Sequence, residues 1–154
     1  MSMLARYRKT GGFEQLRLLL ETSVAKKRDM LLKAIETEDK EWGALLRASM
    51  MTLEKFEKWD PLVIAEVTSR MGDKALAILF AGKGDDYFNR MTQAIKEMKK
   101  REIRTIMENL KPTPAEIESA TIKLVEKVRE LEREGGVKLD KEGTPIQNGV
   151  MKVS

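Results

Sequence analysis

Apolar residues recur at three- and four-residue spacing along nearly the whole chain, and no stretch alternates with the period of two that a half-buried strand requires. This periodicity predicts an all-α fold. A first helix is expected over 13–21 with Leu16, Leu19 and Leu20 on its apolar side, and a second over 24–35 with Met30, Leu31, Ala34 and Ile35. Asp39 reads as the N-cap of a third, carrying Trp42, Leu45 and Leu46. Three short helices of this kind are similar to one armadillo-like repeat, a unit that hides its apolar side against a neighbour.

After the junction Met50, Met51, Thr52, Leu53 comes a short amphipathic piece. Asp60 followed by Pro61 is a strong helix start, with Val63, Ile64 and Val67 on a helix that stops near Gly72. Asp73 is expected to cap the next, where Ala75, Leu76, Ile78, Leu79 and Phe80 are apolar nearly all round, as in a buried central helix. Asp85 or Asp86 then starts a helix leading through Phe88, Met91, Ile95 and Met98. Thr113, Pro114 and Glu116 form a capping box for a long helix with Ile117, Ala120, Leu124, Val128 and Leu131 on one side, ending at Gly135 and Gly136. The segment 137–154, with Gly143, Pro145 and Gly149, reads as a flexible tail.

A helix near 98–111 is two-sided. Arg101, Arg104, Glu108 and Lys111 are expected along one side, and Ile103, Ile106, Met107 and Leu110 along the other. One side can bury while the other offers mixed charge to a partner.

The chain has no histidine and no cysteine. Imidazole proton shuttles, thiol nucleophiles, disulfides and the usual zinc ligands are therefore absent, which disfavours an enzyme and implies no cofactor. Net charge is +4, from 29 basic and 25 acidic residues, too balanced for a broad phosphate-binding surface. No apolar run is long enough to span a membrane, and Met1 to Thr10 lacks the apolar core of a secretory signal; the absence of cysteine is compatible with a reducing cytoplasm, taken as the default compartment. Gly82, Lys83 and Gly84 lack the spacing of a phosphate-wrapping loop, and the adjacent Asp85 and Asp86 lack the alternating ligands of a calcium loop. Met91, Met98 and Met107 are expected to pack in the core rather than line a binding groove.

In the order of these pieces the chain resembles, over 11–139, the C-terminal part of the FliG family, the flagellar motor switch proteins of the bacterial rotor. Gly11 and Gly12 precede Phe13 as that family's linker does, and Met50, Met51, Thr52 and Leu53 stand where its hinge motif lies. Leu53, Glu54, Phe56, Trp59 and Asp60 look like the stretch after the hinge. Met98, Lys99, Lys100 and Arg101 look like the start of its torque helix, and 112–118 is similar to the turn before its last helix.

The resemblance implies a right-handed superhelix of short helices in two subdomains: a tail and linker over 1–12, an armadillo-like three-helix unit over 13–50, a hinge and short helix over 51–60, a six-helix torque subdomain over 61–136, and the tail. It implies that the charged helix faces the stator protein MotA, with Lys83, Lys100, Arg101, Arg104, Glu108, Asn109 and Lys111 as stator-binding positions. Arg101 falls at the family's early arginine, and Glu108 and Asn109 at its paired acids, so one acid is an amide here. Lys111 stands in for an arginine before the last helix, and Lys83 for a lysine after the central one. The implied role is a rotor component that transmits torque and takes part in reversing rotation through the hinge. The rotor protein FliM and neighbouring FliG subunits would be its other partners, at the cytoplasmic face of the inner membrane without insertion into it.

Three other readings compete. A FliG-like paralogue would serve only as a helical interaction scaffold. A magnesium-transporter-type cytosolic domain uses similar stacked helices, but would show acidic clusters where this chain interleaves lysine and arginine. A helical nucleic-acid binder could use Lys96, Lys99, Lys100, Arg101 and Arg104, yet Glu97, Glu102 and Glu108 interrupt the stretch and no aromatic side chain is placed to stack a base.

Overall fold

The computed structural model describes residues 3–146. Over these residues the fold is all-α, with no strand beyond one isolated bridge between Leu139 and Pro145. A 3-10 turn, Ala5–Tyr7, leads into α1 (Gly12–Glu21), α2 (Ala25–Glu38) and α3 (Lys40–Ser49). There follow α4 (Leu53–Phe56), α5 (Pro61–Thr68), α6 (Asp73–Phe80), α7 (Asp85–Met91), α8 (Glu97–Met107) and α9 (Pro114–Arg133).

Side-chain caps fix four of the helix starts, those of α3, α4, α5 and α9. The Asp39 carboxylate accepts from the Trp42 amide at 3.1 Å and starts α3. Asp60 accepts from the Leu62 amide at 2.9 Å, and Pro61 presets the first turn of α5. Thr113 and Glu116 close a reciprocal capping box on α9, satisfying donors that a bare helix start leaves open. At α6 the expected cap falls one residue early: Gly72 occupies the N-cap, and the Asp73 carboxylate instead holds Lys99 of α8 at 2.8 Å.

Burial divides into two apolar clusters. One gathers Leu4, Leu16, Leu20, Leu32, Ile35, Leu46 and Met50; the other runs from Met51 through Phe56, Leu76, Phe80, Ile103 and Leu124 to Val137. The boundary falls between consecutive residues, Met50 and Met51. The expected two subdomains are not evident as detached bodies, because α1 and the end of α3 are tied to α9 by buried polar contacts.

Several expectations need correcting. Met30 and Leu45 are exposed, at 65% and 51%, because each lies one helical step outside the sector that faces the cluster; Leu32, Ile35 and Leu46 fill it instead. Met98 is 78% exposed, not core. Between 61 and 136 there are five α-helices, and the count reaches six only if α4 is included. Residues 3–12 are no loose tail: Leu4 is fully buried, and the Met3 and Leu4 amides donate to the Glu38 carboxylate. Gly11 (φ +81°) and Gly12 form a tight turn into α1, where a Cβ on Gly12 would overlap the Tyr7 carbonyl. Nor does the segment after α9 read as a tail up to 146. Val137 is buried, the Glu142 and Thr144 amides donate to Asp140, and Met51 packs on Gly143. The rest of the expected tail, 147–154, lies outside the described residues.

Candidate functional site

Helix α8 is held from beneath. Ile103 is fully buried, and Ile106, Met107 and Leu110 pack against the same cluster, mostly over α6. At the N-terminal end of this inner face, Lys99 donates to the Asp73 carboxylate at 2.8 Å and to the Met71 carbonyl at 2.9 Å. The ammonium thus ends the apolar stripe and fixes the register of α8 along α6. The inner face is fixed by burial, so the residues 100° to 180° away must face water.

Arg101, Arg104 and Glu108 are all exposed. Arg101 and Glu108 form no ion pair among the described residues, so both charges are available to a partner. Arg104 is half committed: its guanidinium sits 4.4 Å from the centroid of the Phe88 ring and 4.0 Å from the Asp85 carboxylate. Lys100 turns aside to Glu97 at 3.2 Å with its side chain about a quarter exposed. The helix ends at Met107, so Glu108 is its C-cap, and Asn109 and Lys111 lie on the exposed turn beyond. The strip is therefore shorter than 98–111, and Lys111 is not on the helix face.

Lys83 is not brought to this strip. It lies in the loop between α6 and α7, 3.5 Å from Glu57 and 4.9 Å from the Tyr87 ring centroid. Tyr87 donates its hydroxyl to Glu57 at 2.5 Å, and burial together with that bond raises its pKa above the usual phenol value. Met98, expected in the core, stands among the exposed charges of α8. Its 40° separation from Glu102 and 20° from Thr105, both exposed, is the signal that places it there.

The Met50–Leu53 segment spans little free chain. Ser49 ends α3, Leu53 begins α4, and the Thr52 hydroxyl caps α4 by accepting from Lys55 at 3.2 Å. Met50, Met51 and Leu53 are buried. Around them lies a buried ionic group. Glu21 Oε2 accepts from the Met51 amide at 2.6 Å and from Arg129 Nη2 at 2.6 Å, while Arg129 Nη2 also reaches the Ser49 carbonyl at 3.0 Å. The Arg129 and Glu21 side chains are 6% and 0% exposed. Burial opposes the charge on Arg129, but its hydrogen bonds and charge interactions with Glu21 and Glu132 together outweigh that and hold its pKa above the ordinary value. Next to it, burial and the Arg129 charge lower the pKa of Arg17. Sequence reasoning missed this pair, whose members are 108 residues apart and become partners only in the folded chain.

No group of three or more acidic side chains able to hold a metal occurs among the described residues, and no helix there is long and apolar enough to cross a membrane.

Residues 33–139 match the FliG C-terminal domain family. Among solved structures, full-length FliG from Aquifex aeolicus is similar at 26% identity with a TM-score of 0.50, over 80% of this chain and 39% of that one. A FliG fragment from H. pylori matches at 18% identity with a TM-score of 0.53, over 83% of this chain and 57% of that one, and supports the fold. The chain thus spans less than two thirds of the length of either. No curated protein sequence matches it.

Proposed function

The chain belongs to the FliG C-terminal domain family, and on that footing we propose that it is a rotor module of the flagellar motor switch, presenting α8 to a MotA-type stator. The role is structural rather than enzymatic. The observation that carries the reading is the pairing of a fully buried Ile103 with unpaired, exposed Arg101 and Glu108 on the same helix. Torque needs a charged surface that does not yield when pushed, and the inner face of α8 supplies the backing. Exposed charge pairs contribute about 0 to 1 kcal/mol each and are screened over roughly 8 to 10 Å. Contacts of that strength form and break quickly, as suits a rotor passing one stator after another.

In this reading Arg101, Arg104, Glu108, Asn109 and Lys111 meet the stator, and Lys100 supports them through Glu97. Lys83 sits apart from this strip, in the loop before α7. The unit 13–50 stacks on a middle domain or neighbouring FliG subunit, near FliM, at the cytoplasmic face of the inner membrane. Met50–Leu53 is the swivel that re-presents α8 when rotation reverses. Charge reversal at Arg101 and Glu108 in the native host, scored for swimming, tests the proposal. Paralysed cells with intact filaments are expected, and unchanged motility would overturn it in favour of a paralogue that serves only as a scaffold.

A further inference from the structure

We propose that the buried ion pair of Glu21 and Arg129 is a latch that fixes how the α1–α3 bundle sits on the α4–α9 body, and that the Met50–Met51 joint turns only when the pair parts. This deepens the swivel reading above and rests on it for its use in the motor.

The contacts cross the joint reciprocally. Glu21 belongs to α1, yet it grips the Met51 amide, on the far side of the boundary between the apolar clusters. Arg129 belongs to α9, yet it grips the Ser49 carbonyl, on the near side. The two side chains are then joined to each other by two hydrogen bonds, Arg129 Nε to Glu21 Oε1 at 3.0 Å and Nη2 to Oε2 at 2.6 Å. Rotation at the joint would pull Ser49 and Met51 away from both holders at once. Any such motion must break the ion pair or carry both helices with it.

Further polar contacts cross the seam, beside apolar side chains such as Leu32, Ile122 and Val125 that line the cleft there. Glu132 stands 2.9 Å from Arg129 and 4.0 Å from Arg17, so two carboxylates face two guanidiniums across the boundary. The Ala25 amide donates to Glu118 at 3.0 Å, and Lys55 of α4 donates to the Ala48 and Met50 carbonyls at 2.7 and 2.6 Å. The apolar clusters themselves stay on their own sides. A seam of this kind can open without splitting a core, because each freed polar group regains water. Closed, it is selective: at an intermediate angle Glu132 would stay with Arg129 on α9, but Glu21, 0% exposed, would lose Arg129 while still buried, so such angles are disfavoured.

The chain has no cysteine, so two spin labels can be placed without background. Lys33→Cys on α2 with Glu66→Cys on α5 reports the distance across the seam, and Glu66→Cys with Lys123→Cys on α9 reports the α4–α9 body alone. All three sites are exposed. In the full-length chain the cross-seam distance should be single and narrow. In Arg129→Met, and in the isosteric Glu21→Gln, it should widen about twofold or gain a second maximum, as expected when a locked equilibrium is released. The within-body distance should not move. A cross-seam distribution as narrow in Glu21→Gln as in the parent, or already broad in the parent, would overturn the latch. If Arg129→Met disturbs the within-body distance, Glu21→Gln alone decides. Failure of the rotor reading would appear in swimming cells and leave these distances untouched.

Discussion

The Arg104 guanidinium lies over the ring of Phe88, 4.4 Å from its centroid, so one of the two arginines on the outer face of α8 is anchored to its own protein. Its neighbour Arg101 has no such support. Replacing Arg104 by Ala should cost about 0.5 to 1 kcal/mol, the usual worth of an exposed cation–π contact. Arg101→Ala should stay within about 0.5 kcal/mol of the parent, as surface changes do. Urea unfolding of both variants checks the difference, and equal losses would show that Phe88 does not hold Arg104.

The backing of α8 depends on Ile103, which is fully buried. Ile103→Ala should destabilise the protein by about 2 to 5 kcal/mol through lost burial and the cavity left behind. Met98→Ala on the same helix should shift stability by no more than about 0.5 kcal/mol, since that side chain is 78% exposed. Thermal unfolding of the two proteins separates the faces; a large loss in Met98→Ala would mean that the outer face is packed after all.

The turn at Gly11 and Gly12 admits no side chain at its second position. Gly12→Ala drives a Cβ into the Tyr7 carbonyl, and overpacking of this kind costs about 1 to 3 kcal/mol. Gly11→Ala meets no neighbour but is strained by its φ of +81°, at about 1 kcal/mol or more. Hydrogen exchange should show the loss in Gly12→Ala concentrated in 3–21. Parent-like protection there would mean that the turn is slack.

Acid should destabilise the fold while neutral pH changes leave it alone. Hydrogen bonds from Arg47, Arg8 and Arg70 hold Glu36, Asp39 and Glu134 below their ordinary carboxyl pKa values, and backbone amides of Thr113 and Thr144 do the same for Glu116 and Asp140. A folded pKa below the unfolded one means stability that is present above the unfolded value and is lost as pH falls through the folded one. Ordinary values are 4.5 for Glu and 3.8 for Asp, so the melting temperature should fall progressively below that range. With no histidine, it should be nearly flat between about pH 5.5 and 7.5. A steep change inside that interval, measured by calorimetry, would contradict this.

Helix positions were legible where a cap and an apolar stripe agreed. Asp39, Asp60–Pro61 and the Thr113–Glu116 box mark starts that need no tertiary information, because each satisfies donors within its own first turn. The exposed Arg101, Arg104 and Glu108 followed from periodicity for the same reason. Periodicity carries less at helix ends: Met98 lies three residues after the buried Ile95, but the chain breaks between α7 and α8, which resets the phase. Lys111 lies beyond Met107, where that face stops. The Glu21–Arg129 pair was not legible at all. On its own helix each residue looks like an ordinary surface charge, and only the docking of α9 beside α1 buries both.

Met50 and Met51, adjacent in the chain, take part in different interiors. Changes to the first interior therefore need no matching repair in the second, since substitutions without shared neighbours add nearly independently. One half can drift to suit one contact while the other is tuned to a second, and a lineage can revise either without unlearning the other.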